Sequence, residues 1–133
     1  MDEQGKMIVT AAMLLLLGLW GTAGGAPNTK VVSVLCNSQV YTMGDPFGTS
    51  LAYVLRDLQA VAPAREGHDY RNISPYPNAF AYGHAACAAN LTSADCSSCL
   101  AAAAKQMLGT CAMRIGARCA LYDCNIRYEQ YPF

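Results

Sequence analysis

The sequence predicts an α+β domain: two helices packed on one face of an antiparallel sheet of about five strands, stapled by disulfides. Three observations predict it. Apolar residues recur at helical spacing in two separate stretches. Short β-branched or aromatic runs precede, separate and follow those stretches. All seven cysteines lie from Cys36 onward in a chain of 133 residues, a length that suits one domain.

The elements follow in chain order. Val31 to Leu35 is a β-branched run ending at Cys36 and reads as a strand. Asn37-Ser38 suggests a turn, and Gln39 to Thr42 a weak second strand. Asp45-Pro46 is a helix start, with Asp45 as N-cap and Pro46 as first helical residue. Phe47, Leu51, Val54, Leu55 and Leu58 then form one apolar stripe, and Pro63 closes the helix. Residues 63–78, with three prolines and Gly67, read as a loop holding a short strand near Asp69-Tyr70-Arg71. Phe80 to His84 reads as a strand. Thr92-Ser93 opens the second helix, with Asp95 in its first turn and a stripe of Cys96, Cys99, Leu100, Ala103 and Met107; it ends near Gly109. Ala117 to Asp123 and Cys124 to Tyr131 supply the last two strands.

Residues 1–25 read as a secretory signal peptide. Lys6 gives the positive start, Ile8 to Trp20 the apolar stretch, and Gly21 to Ala26 the small residues of a cleavage site. The apolar stretch falls short of the ~20 residues needed to span a bilayer. Pro27 disfavours a cut after Ala26, so cleavage is expected between 23 and 26, which leaves a domain of 26–133 without a membrane span. Losing Lys6, Asp2 and Glu3 with the leader leaves eight Lys and Arg against seven Asp and Glu. A chain so nearly neutral carries neither the basic footprint of a nucleic-acid binder nor a polybasic membrane anchor.

The cysteines admit three chemistries. Zinc wants paired Cys-x-x-Cys units or added histidines; only Cys96-x-x-Cys99 is present, and His68 and His84 lack ligand-like spacing. A redox dithiol at Cys96 and Cys99 fits poorly in a secreted chain with this many further cysteines. A structural disulfide framework is expected, although six cysteines alone allow 15 pairings. The odd cysteine is either a buried thiol or a link between chains.

Ala81-Tyr-Gly-His-Ala-Ala-Cys87, Asp95-Cys-Ser-Ser-Cys99-Leu100, Ile115-Gly-Ala-Arg118, Asp123-Cys124 and Arg127-Tyr-Glu-Gln130 together resemble the ginkbilobin-type cysteine-rich domain of plants. The resemblance runs from about Val31 to Phe133. It implies disulfides Cys36–Cys111, Cys87–Cys96 and Cys99–Cys124, leaving Cys119 as a free thiol where the family pattern has an apolar residue. It also implies a mannose site of Asn37, which follows the first cysteine, Arg118 of the Ile-Gly-Ala-Arg segment, and Glu129 of the Tyr-Glu-Gln ending. The expected partner is therefore mannose or a mannose-containing glycan of the fungal wall, and the expected place the apoplast. The residues alone also allow a plainer reading, with Arg118 and Glu129 as a cross-strand ion pair and Asn37 serving its turn. A protein-interaction module with an idle sugar site is the alternative function.

Several other positions carry chemistry of their own. Tyr128, Tyr131 and Phe133 could line a sugar face or simply pack. Asp123 and Glu129 are the carboxylates a glycosidase would need about 5–9.5 Å apart, but no catalytic set accompanies them, and His84 reads as a sheet residue. No enzyme activity, metal or cofactor is expected. Asn90-Leu-Thr92 and Asn72-Ile-Ser74 are N-glycosylation sequons, the latter weakened by Pro75.

Overall fold

The computed structural model describes residues 25–133, so the leader lies outside the described residues up to position 24. The elements are β1 (Val31–Cys36), α1 (Pro46–Val61), two 3₁₀ turns (Ala62–Ala64 and Glu66–His68), β2 (Asp69–Ile73), β3 (Tyr82–Cys87), α2 (Ser93–Thr110), β4 (Gly116–Leu121) and β5 (Cys124–Glu129). The strands form one antiparallel sheet in the order β1-β4-β5-β3-β2. Both helices pack on the same face of the sheet, α1 over β2 and β3, α2 over β4 and β5. Among the described residues no helix covers the opposite face.

Local chemistry sets the helix starts. Asp45 Oδ1 accepts from Phe47 N at 2.9 Å and caps α1, and Thr92 Oγ1 accepts from Asp95 N at 3.1 Å and caps α2. From α1, Phe47, Leu51, Val54, Leu55 and Leu58 are buried; from α2, Cys96, Cys99, Leu100, Ala103, Ala104 and Met107. They meet Ala85, Ala117, Cys119, Ile126 and Tyr128 on the inward side of the sheet. Gly83 in β3 lets α1 lie close: a Cβ there would collide with Val54 and Leu58. Tyr128 is fully buried, and its hydroxyl donates to Arg114 O at 2.8 Å.

Three disulfides close the framework. Cys36–Cys111 ties the end of β1 to the end of α2, Cys87–Cys96 joins β3 to the first turn of α2, and Cys99–Cys124 joins α2 to β5. The chain-entropy model assigns about 4.5, 2.7 and 3.5 kcal/mol to loops of these lengths as non-additive upper values. Cys119 is a buried free thiol on β4, and burial pushes its pKa up.

Several boundaries differ from expectation. Gln39 to Thr42 is not a strand but makes a single bridge, Val40 to Arg114, because its partner segment turns away at Met113 (φ 59°). The strand expected over Phe80 to His84 runs instead from Tyr82 to Cys87. Ala81 is held by Ser74, whose Oγ accepts from Ala81 N at 2.9 Å, and this closes the β2–β3 hairpin. Pro63 sits inside the first 3₁₀ turn, two residues beyond the end of α1.

Candidate functional site

In each strand alternate residues point away from the helices. On the uncovered face the register sets Gly116 beside Glu129, and Leu35, Arg118, Arg127, His84 and Arg71 side by side across all five strands. Asn37 follows β1 directly and stays attached to β4 through its own N–H, which donates to Gly116 O at 2.9 Å. The result is a cleft of about 240 Å³ lined by Leu35, Asn37, Arg118, Arg127, Glu129 and Tyr131, among others. The three residues singled out from sequence thus share one cavity.

Glu129 is the most constrained of them. It is only 7% exposed, although it lies on the uncovered face. Gly116 makes this possible, since a Cβ at 116 would overlap the Glu129 carboxylate. One carboxylate oxygen, Oε1, accepts from Arg127 Nε at 3.3 Å. The other, Oε2, is buried and has no hydrogen-bond partner among the described residues. A buried carboxylate oxygen without a donor is costly. Oε2 is seated against Gly116, and Glu129 as a whole lines a small polar cleft.

The other two differ in character. Arg118 is exposed and makes no ion pair among the described residues. It does not pair with Glu129, as a plain cross-strand reading would have it; it stands opposite Arg127. Asn37 serves its turn, with Oδ1 accepting from Gln39 N at 2.9 Å, while Arg114 Nη1 donates to Asn37 O at 2.7 Å. That leaves the Asn37 amide nitrogen as the donor open to the cleft. Carboxylate, guanidinium and amide together can accept from and donate to neighbouring hydroxyls, which suits a polyol better than an anion or an apolar group.

Two residues that complete this site were not singled out from sequence. Arg127 holds Oε1 of Glu129, and its guanidinium packs against the Phe133 ring with 4.1 Å to the centroid. Its spacing of two from Glu129 on one strand was the available signal. Gly116 required the register of β4 against β5. Of the aromatic candidates, Tyr131 lines the cleft, Phe133 stacks on Arg127 and Arg71, and Tyr128 is turned into the core.

The remaining candidates lie elsewhere. Asp123 sits in the β4–β5 turn, where its Oδ2 accepts from Asn28 N at 2.6 Å. Glu129 is at the far end of β5, so the two carboxylates are separated by about 20 Å of extended chain, well beyond the spacing of a glycosidase pair. His84 Nε2 lies 2.9 Å from Asp69 Oδ1 across the β2–β3 ladder. Asn72, taken from sequence as a glycosylation position, turns inward: its Nδ2 donates to Val54 O at 3.1 Å and to Asp57 Oδ2 at 3.0 Å, so the atom a glycan would occupy is committed to α1. Asn90 is exposed in the turn before α2. No group of three or more His, Cys, Asp or Glu side chains that could hold a metal occurs among the described residues. No described helix is long and apolar enough to cross a membrane.

Residues 35–131 match the family model described as salt stress response/antifungal. An antifungal ginkbilobin-like protein 1 from Picea glauca is 38% identical over 96% of this chain and 91% of its own length. Antifungal protein ginkbilobin-2 from Ginkgo biloba is 36% identical over 94% of this chain and 89% of its own. Among solved structures, the tandem DUF26 ectodomain of the Arabidopsis thaliana cysteine-rich receptor-like protein PDLP8 superposes with a TM-score of 0.73 at 23% identity, over 79% of this chain. The corresponding ectodomain of PDLP5 gives 0.71 at 19%. This chain spans about half of each tandem ectodomain, and at those identities the likeness is one of fold.

Proposed function

The chain belongs to the salt stress response/antifungal family, a family of antifungal plant-defence proteins, and from that premise we propose that it is a secreted mannose-binding lectin that acts on fungal walls. The observation that carries the sugar reading is Glu129, a carboxylate short of donors that lines one cleft with Asn37 and Arg118. A pair of vicinal sugar hydroxyls donates to the Glu129 carboxylate, which turns slightly off Gly116 to receive them. Arg118 and the Asn37 amide reach the remaining hydroxyl oxygens. Three framework disulfides and relatives named as antifungal proteins support an extracellular setting. The distance between Asp123 and Glu129 supports binding without turnover.

A cleft this small and open makes few contacts, so single-sugar affinity is expected between about millimolar and tens of micromolar, with avidity coming from multivalent mannan. The test is calorimetry of the oxidised protein with mannose and mannan, beside the Asn37→Ala/Arg118→Ala/Glu129→Ala variant. Binding by the parent and its loss in the folded variant is the expected result. A folded parent that ignores mannan would refute the lectin reading and turn attention to a protein partner on the same face.

A further inference from the structure

Beside the Glu129 cleft lies a second and larger one, of about 350 Å³, lined by Ser33, Leu35, His84, Arg118, Asn125 and Arg127, among others. The two clefts share Leu35, Arg118 and Arg127. The two arginines thus form the ridge between them, and the halves differ in charge. Glu129 lines the first; no carboxylate lines the second.

The ridge breaks an ordinary rule of sheet pairing. Arg118 stands directly opposite Arg127, and Arg127 directly opposite His84. Like charges at paired positions are unfavourable, and a strand pair gains nothing from them. The two nearby carboxylates are already engaged, Glu129 with Arg127 Nε and Asp69 with His84 Nε2. Arg118 has no carboxylate partner among the described residues. Arg127 engages Glu129 through Nε and stacks one guanidinium face on the Phe133 ring, which leaves both Nη nitrogens without a hydrogen bond among the described residues. Two guanidinium groups with donors to spare, one imidazole and the Asn125 amide therefore converge on a concave surface adjoining a polyol site.

We propose that this second cleft is a subsite for an anionic substituent, a phosphate or a carboxylate, on the sugar next to the mannose held at Glu129. The inference rests on the mannose reading for the first cleft. Guanidinium forks match the oxygens of phosphate and carboxylate, and such charge-assisted bonds are roughly twice as strong as neutral ones. The protein then prefers acidic mannans to neutral ones, and salt weakens the preference.

The experiment compares mannobiose, mannobiose 6-phosphate and a mannose–uronate disaccharide on the oxidised protein by calorimetry, with inorganic phosphate titrated separately by NMR. Either anionic disaccharide is expected to bind about tenfold tighter than mannobiose at low salt, with most of the gain lost near 0.5 M salt. The phosphate and uronate arms tell which substituent is preferred. Asn125→Asp places a negative charge in the second cleft only; it is expected to erase the gain while leaving mannobiose affinity unchanged. Equal binding of all three sugars overturns the subsite and leaves the lectin reading standing, as does a gain that survives in Asn125→Asp. Inorganic phosphate gives the subsite its own readout: shifts at His84 and Asn125 support it even where mannobiose fails to bind, and their absence overturns it.

Discussion

Replacing Glu129 by Gln separates a binding carboxylate from a structural one, because the two roles predict opposite changes. Glutamine has the same shape and fits over Gly116 as the carboxylate does. The native side chain is buried with one oxygen unpartnered, and its ion pair is long at 3.3 Å with an arginine side chain that is 30% exposed. An ion pair so open to water contributes about 0–1 kcal/mol, while an unpaired buried polar oxygen costs about 1–3 kcal/mol. Glutamine leaves a polar atom in the same unpartnered position but without the charge, so the burial penalty is lessened while the weak ion pair is lost, and Glu129→Gln is expected to change stability by less than about 1 kcal/mol. Binding is expected to fall. Hydrogen bonds to a charged acceptor are worth about 1.5–3 kcal/mol against about 0.5–1.5 for neutral ones, so losing the charge costs about 1–2 kcal/mol, or about 5–30-fold in mannan affinity. Thermal unfolding and calorimetry on one preparation read both quantities. A variant destabilised by more than about 1 kcal/mol that binds mannan normally would refute the reasoning and make Glu129 a structural ion-pair residue.

Three further outcomes follow from the same geometry. Gly116→Ala pushes the Glu129 carboxylate out of its seat; since the tip of a side chain gives way more easily than backbone, the fold is expected to persist while mannan affinity drops about tenfold or more, read by the same calorimetry. Tyr128 and Tyr70 both have pKa values raised from the usual 10.0, Tyr128 chiefly by burial and Tyr70 chiefly by its hydrogen bond to Asp57. Their neutral forms are favoured in the folded state, so the stability they contribute is full below pH 10 and is lost as pH rises above it; melting temperature should fall above pH 10, and less steeply in Tyr128→Phe. Of the two sequons, expression in a plant secretory system should add glycan at Asn90 and not at Asn72, seen as one mass decrement in Asn90→Gln and none in Asn72→Gln.

Legibility in the sequence followed the range of the interaction. The starts of α1 and α2 could be read because Asp45 with Pro46, and Thr92 with Asp95, act within three residues. The stripes Phe47–Leu58 and Cys96–Met107 could be read because helical spacing is local too. Strand bounds could not, because a ladder is decided by a distant partner. Nothing near Phe80 announces that Ser74 will hold Ala81 and delay β3 to Tyr82, and nothing near Val40 announces that Met113 will turn its partner away. The site divides the same way. Asn37, Arg118 and Glu129 came from a family resemblance, whereas Gly116 and Arg127 matter only through the register that sets them beside Glu129 and Arg118. Asn72 reads as a sequon in one dimension and as an inward hydrogen-bonding residue in three.

Two departures from good packing fall on the outer face of the sheet, around the cleft. On the inner face apolar helix stripes meet small and apolar strand residues and the Tyr128 hydroxyl finds a carbonyl, while Asn72 keeps its Oδ1 buried without a partner under α1. On the outer face a carboxylate oxygen is buried without a donor, and two arginines stand opposite each other. A stable sheet needs neither, and such local violations are expected where binding rather than folding shaped the sequence. The framework explains why they are tolerated. Cys36–Cys111 anchors the residue before Asn37, and Cys99–Cys124 fixes the start of the strand that carries Arg127 and Glu129. Covalent staples behind the sheet hold the cleft walls in place against the repulsion in front of it. A preorganised site loses less freedom on binding, which matters most for a sugar that can make only a handful of contacts.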